Sequence, residues 1–298
     1  MLKSIGKLLL GLATVVVLAA AGLFIKGTVQ LAKVRDLPAP PLAVRTDSAA
    51  VARGRHLATA IFKCVDCHGP DLGGRESFVD AGPLGVINTA NLTTGQGGII
   101  GRYNDAALAR TIRHGIRADG SPIPIMPAVA YITASDEDVA AVIAYVRSVP
   151  AVDREHQSST VRPFGRLLYA AGQFPIVDAD FIDHAAAPAS VPAGATVEYG
   201  KYLASVGGCI GCHGPGLSGG KIPGGAPDWK PAANITTAGI KGWTEADFIT
   251  ALKTGQRPNR TPIDTVMPWR LAGQMDSTEM RAVWLFLQSM PAKPFGGR

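Results

Sequence analysis

The longest apolar run lies at the start of the chain: Leu8 to Ile25 is 18 residues without a charge or a proline, with Lys3 and Lys7 ahead of it. That length just spans the hydrocarbon core of a bilayer. Ala19-Ala20-Ala21 resembles a small-residue cleavage site, so a secretory signal peptide is the competing reading, although signal h-regions are usually shorter. The pattern predicts a retained transmembrane anchor over residues 1–26. Lys3 and Lys7 then stay cytoplasmic, and everything after about residue 26 is exported. Leu37-Pro38-Ala39-Pro40-Pro41 makes residues 27–47 an extended, proline-rich spacer that gives a tethered head some reach.

Further along, apolar positions recur at helical spacing, and the stretches come in matching pairs. Val51, Ala58, Ile61 and Phe62 pair with Tyr199, Leu203 and Val206. Leu108 and Ile112, behind an Asn104 cap, pair with Phe248 and Leu252 behind Thr244. Val139, Val142, Ile143 and Val146 pair with Met280, Val283, Leu287 and Met290, behind the capping pairs Ser135/Asp138 and Asp276/Glu279. The chain therefore reads as all-α, with tandem units at 48–150 and 195–298. Residues 151–194 form a linker with a short helix in Pro163–Gln173 and an extended Ala/Pro run from Ala185 to Pro192. This linker has no counterpart in the other repeat and is expected to wrap one unit and set the spacing between the two.

Each unit carries Cys-x-x-Cys-His just after its first helix: Cys64-Val65-Asp66-Cys67-His68, and Cys209-Ile210-Gly211-Cys212-His213. This is the attachment signature of a c-type haem, whose thioethers form on the cysteines while the histidine ligates iron. All four cysteines of the chain are spent in the two motifs, and each motif is followed by Gly-Pro. Downstream, Met126 in Ile-Met-Pro and Met267 in Val-Met-Pro offer second axial ligands, on loops stiffened by flanking prolines. A zinc site would want a further Cys or His pair per unit, and disulfides would leave His68 and His213 unexplained. The expectation is two covalently bound haem c groups, held by Cys64, Cys67, His68 and Met126, and by Cys209, Cys212, His213 and Met267. The irons are His68/Met126 and His213/Met267 ligated. Such an iron has no open position, and the soft thioether raises its potential, as in cytochromes that pass electrons. The sequence thus predicts no catalytic residue.

Composition supports this. Aromatics are 6% and charged residues 17%, while Gly and Pro number 35 and 22. Units of about 100 residues with so few large side chains are short of core, and a haem supplies an apolar slab. The net charge of +6 is uneven: the first unit balances nine basic against nine acidic residues, and the second carries eleven against seven. No basic tract with interleaved aromatics occurs, which excludes a nucleic-acid partner.

Lesser expectations follow from the repeat. The other N–H of each haem-ligating histidine needs an acceptor, for which the carbonyls of Pro83 and Pro227 stand at similar distances downstream. Tyr103 and Trp243, at equivalent places, read equally as propionate contacts or as core; Arg113 and Lys253 as propionate contacts or a solvated face. His56, His114, His156 and His184 have no matching partners and read as surface or packing residues, and Met275, Met280 and Met290 as helix packing.

The order Cys-x-x-Cys-His-Gly, then Asn91-Leu92-Thr93 or Asn234-Ile235-Thr236, then an aromatic before the third helix, then Met-Pro, resembles the cytochrome c subunits of membrane-bound bacterial alcohol, gluconate and sugar dehydrogenases. The resemblance covers both repeats. It implies two tandem class I cytochrome c domains and an electron carrier fed by a flavin, quinoprotein or molybdenum catalytic subunit. The acceptor would be ubiquinone or another cytochrome or oxidase. Because c-type haem is attached outside the bacterial inner membrane, the haem domains would be periplasmic on a single amino-terminal pass. Those subunits commonly carry three motifs and a carboxy-terminal anchor; this chain has two motifs and its apolar run at the amino terminus. The di-haem subunit of cbb3-type oxidases is similar in layout and implies delivery to oxygen reduction. A di-haem peroxidase or a thiosulfate dehydrogenase is a further alternative.

Overall fold

A computed structural model describes residues 2–297. The first helix, α1 (Leu2–Leu31), extends past the apolar run at both ends. Among the described residues it is the one helix long and apolar enough to cross a membrane. Leu8, Leu10, Val17 and Leu18 along it stand exposed. Its final turns are different, because they lie against the linker. Gly27 is buried so close to Arg166 that a Cβ there would come 2.2 Å from the Arg166 carbonyl oxygen. Lys26 Nζ donates to the Ala170 carbonyl at 3.1 Å and Arg166 Nη1 to Thr28 Oγ1 at 3.2 Å.

The spacer that follows has no regular structure, as its prolines require, yet it lacks the reach expected of it. Arg35 N donates to Gly120 O at 2.9 Å, the buried Arg35 guanidinium pairs with Asp180, and Leu37 O accepts from Arg110 Nη1 at 3.0 Å. Leu42 and Val44 pack on the main core. Backbone bonds and apolar anchors thus hold down a segment that composition alone reads as a tether.

The first unit begins with α2 (Ser48–His56), capped by Asp47, whose side chain accepts from Ala50 N. It crosses the unit's last helix at close range, because Gly54 has no side chain: a Cβ there would meet Ala141 O at 1.8 Å. Ten positions separate Gly54 from Cys64, but nine separate Gly200 from Cys209. The longer stretch contains one π-helical turn, Leu57–Ile61, which accommodates the extra residue as a single-turn bulge. The motif helix α3 (Cys64–His68) follows.

Strands β1 (Arg75–Asp80) and β2 (Gly85–Thr89) then form an antiparallel hairpin, which the linker extends with β3 (Thr160–Val161). Among the described residues this small sheet is the one addition to a helical architecture, and the Gly-rich sequence reads there as loop. Helices α4 (Asp105–His114), capped by Asn104, α5 (Ala128–Tyr131) and α6 (Asp136–Ser148), capped by Ser135, complete the unit.

The linker lies along this first unit. Arg154 pairs with Asp71, β3 pairs with β2, α7 (Pro163–Ala170) receives the end of α1, and Ile176 O accepts from Ile125 N at 2.7 Å beside Met126. The second unit repeats the plan: α8 (Val197–Val206), the motif helix α9 (Cys209–His213), α10 (Glu245–Thr254), α11 (Trp269–Ala272) and α12 (Ser277–Ser289). Gly200 does there what Gly54 does in the first unit, with Ala282 O 1.9 Å from a virtual Cβ. Both capping boxes of this unit, Thr244/Asp247 and Asp276/Glu279, are formed.

The two units share one apolar core cluster and a polar seam. Across it Arg53 Nη1 and His56 Nε2 lie 2.9 and 2.6 Å from the two Glu279 carboxylate oxygens. Tyr202 donates to Asp138 at 2.7 Å and accepts from Ser135 N at 3.1 Å. His56 is thus a bridge between units, where the sequence suggested a surface or packing residue.

Candidate haem-attachment sites

Each motif helix is entered through a residue in the left-handed region, Lys63 (φ 55°) in the first unit and Gly208 (φ 71°) in the second. Glycine takes this conformation freely; for lysine it costs roughly 1–2 kcal/mol. The single helical turn that follows brings the two cysteines and the histidine, at i, i+3 and i+4, onto one face.

Burial pushes the Cys64 thiol up to about 12, with the charge of Cys67 adding to it, and the Cys67 thiol up to about 11, with the charge of Asp66 adding to it. Burial raises Cys209 as well, against the nearby Lys63 ammonium. A redox Cys-x-x-Cys pair has a depressed thiol, whereas Cys64, Cys67 and Cys209 are all shifted the other way.

Both histidines are oriented through Nδ1, but not by the prolines. His68 Nδ1 lies 2.8 Å from Ala90 O, and His213 Nδ1 2.7 Å from Ala233 O. The Pro83 and Pro227 expectation is therefore corrected. In the first unit Pro83 is drawn into the hairpin turn, and in both units the acceptor immediately precedes the Asn-x-Thr motif.

That motif explains the acceptor's position. Asn91 Nδ2 donates to Val152 O (2.7 Å) and Arg154 O (3.1 Å), while its Oδ1 accepts from Thr93 N and Thr93 Oγ1 at 2.9 and 2.8 Å. Asn234 repeats this with Lys293 O at 2.8 Å and with Thr236 N and Oγ1 at 2.9 and 2.7 Å. Each asparagine pins its loop to the chain leaving the terminal helix, and so presents the preceding alanine carbonyl to the ring. Bound this way through Nδ1, a histidine ligates iron through Nε2. Burial holds His68 below the ordinary histidine range, against the Ala90 bond, so it is neutral as a ligand must be.

In the second unit Cys209, His213 and Met267 line one cavity with Ile235, Ile240, Trp243, Phe248, Leu252 and Leu287. It encloses about 1080 Å³, part of it open to solvent, and its lining is overwhelmingly apolar. Histidine, methionine and an attachment cysteine around an apolar slot fit a haem. In the first unit Cys64 and Met126 pack against the shared core near Phe62 and Tyr131, whose rings stack at 4.9 Å. Cys67 and Cys212 sit on their motif helices, half-buried.

Trp243 lines the second cavity, whereas the Tyr103 hydroxyl accepts from Ala118 N at 3.2 Å and braces a loop. Arg113 fits neither of its readings: it is buried, bonding Ala134 O and Asp136, while Lys253 lies on an exposed face. His114 and His184 meet at 3.0 Å through their Nδ1 atoms, and His156 Nε2 meets Gly73 O at 2.8 Å, as packing residues. Met275 also lines the second cavity, and Met280 is core. Missed altogether were Arg117 and Arg257, which donate to Pro122 O (2.5 Å) and Pro262 O (2.6 Å) and hold the methionine loops; Arg257 lines the cavity too. Their signal was the repeated Gly-x-Arg ahead of each loop.

This pairing of fold and motif defines a two-domain c-type cytochrome. Residues 197–291 match the cytochrome c family, and residues 49–146 match the family described as cytochrome c oxidase, cbb3-type, subunit III. The chain is 30% identical to the fructose dehydrogenase cytochrome subunit of Gluconobacter japonicus, over 89% of this chain and 57% of that one. It is 28% identical to the cytochrome c subunit of the quinone alcohol dehydrogenase of Gluconobacter oxydans, over 84% and 56%. It is 27% identical to a diheme cytochrome c-type protein of Cereibacter sphaeroides, over 95% and 97%. The chain thus spans about half the length of the two dehydrogenase subunits. It is a cytochrome c related to the cytochrome subunits of membrane-bound dehydrogenases.

Proposed function

We propose that the protein is a di-haem electron carrier, anchored in the bacterial inner membrane by α1 with both domains in the periplasm. In this reading it takes electrons from a partner dehydrogenase and passes them to quinone or to another cytochrome. The observation that carries the reading is the second cavity, where an oriented histidine and a methionine on a stiff loop stand around an apolar slot. Haem bound there supplies a one-electron Fe(III)/Fe(II) couple. His68 and His213, with Met126 and Met267, would ligate the iron, and Cys64, Cys67, Cys209 and Cys212 would hold the ring. The protein's own work is to exclude water, keep each imidazole aimed and that of His68 neutral, and hold each thioether in place through the bracing of its loop. The relationship to dehydrogenase cytochrome subunits supports the donor side.

The test is reduction of the purified full-length protein. It stays oxidised with alcohols, sugars or aldehydes alone and is reduced when membranes containing its native dehydrogenase are added with substrate. Turnover of a small substrate or of peroxide by the isolated protein overturns the carrier reading. The match of the first domain to a cbb3 oxidase subunit favours a second reading, delivery to a terminal oxidase. Under that reading, deletion of the gene abolishes oxygen uptake with every respiratory substrate, whereas under the first only one dehydrogenase activity is lost.

A further inference from the structure

Lys63 occupies a backbone position that its sister repeat gives to glycine, and its side chain accounts for the exception. From that left-handed turn, half-buried, it reaches across the seam: Nζ donates to Gly207 O of the second domain at 2.7 Å and to Ile61 O at 3.1 Å. Lys63 directly precedes Cys64, and Gly207 stands two residues before Cys209. One side chain and one hydrogen bond therefore join the first attachment cysteines of the two motifs. Together with Ala60 and Ile61, Lys63 also forms part of the wall of the second cavity, so that site is completed by the first domain.

We propose that Lys63 is a positioning residue for electron passage between the domains: it clamps the two attachment turns together and holds a positive charge at the wall of the second haem site. This rests on the reading of both motifs as haem attachments. Burial pulls the Lys63 ammonium below the ordinary lysine range, and its bonds to the Ile61 and Gly207 carbonyls favour the charged form; the sign of the effect follows from that charge. Reduction removes one positive charge from the iron, so a cation held in a poorly solvated wall favours the reduced state and raises the potential. The second domain, against whose cavity the ammonium lies, is thereby favoured as the acceptor of the pair.

The experiment compares the full-length holoprotein with Lys63→Met and Lys63→Gly by haem stoichiometry and by spectroelectrochemical titration, with Met126→His used to identify the first-domain haem. Both variants delete the ammonium, but the glycine also relieves the left-handed backbone. At a fixed applied potential near the midpoint, each is expected to show about a tenfold lower ratio of reduced to oxidised second-domain haem, or 59 mV for a one-electron couple. The first-domain haem moves less. Two haems with unmoved potentials in both variants overturn the proposal alone. A Lys63→Gly protein that is merely more stable, with wild-type potentials, does so as well, since the lysine would then be a strained cap and nothing more. Fewer than two covalent haems in the unsubstituted protein overturns the haem reading and this proposal with it.

Discussion

His56 Nε2 of the first domain lies 2.6 Å from Glu279 Oε2 of the second, and the carboxylate is almost wholly buried. The hydrogen bond to Glu279 raises His56 above its ordinary 6.5; burial and Arg53 oppose, while the charges of Glu279 and Asp276 assist. Burial would raise Glu279, but bonds from His56, Asp276 N and Arg53 hold it below its ordinary range. Stability from the raised histidine is fully present below about pH 6.5 and is lost as pH rises through its folded-state value. Stability from the depressed glutamate is present above its unfolded value and lost as pH falls through the folded one. Thermal unfolding of the holoprotein is therefore expected to show a Tm that declines over the pH range just above 6.5. His56→Gln flattens that decline; an unchanged slope would mean that the bridge contributes nothing to the seam.

Gly54 and Gly200 are required by contact, each with a carbonyl oxygen less than 2 Å from a virtual Cβ. An alanine at either position must push two helices apart, an overpacking that costs about 3 kcal/mol. Urea denaturation of Gly54→Ala and Gly200→Ala should show loss of this order in the substituted domain. Wild-type midpoints would disprove the helix crossings.

Met126 and Met267 carry the ligand assignment. Replacing either by His keeps six ligands available but removes the thioether that favours ferrous iron, so the potential of that domain's haem falls while the other holds. The weak methionine-to-iron absorption should drop stepwise with each substitution. Intact mass after denaturation reads two haems per chain in the parent and one in Cys64→Ser/Cys67→Ser. The same spectrum shows whether the chain ends at Met1 or has been cut after Ala21; Gly27 and Thr28, which meet Arg166, survive either way.

Local chemistry was enough to read the two motifs, the helix caps and the paired apolar faces, because a cap or an i, i+4 stripe is made by residues close along the chain. Asn104, Thr244, Ser135 and Asp276 all cap the helices their neighbours predicted. The same applies to the long apolar α1. What tertiary structure decided are relations between residues far apart in sequence, where no periodicity points to the partner. The acceptor for each histidine is an alanine carbonyl some twenty residues away, placed by an asparagine whose own partners lie about sixty residues further on. The docking of the proline-rich spacer depends on Arg35 finding Gly120 and Asp180. The reach of Lys63 to Gly207 of the second domain is of the same kind, because a hydrogen bond across a domain seam leaves no trace in either repeat alone.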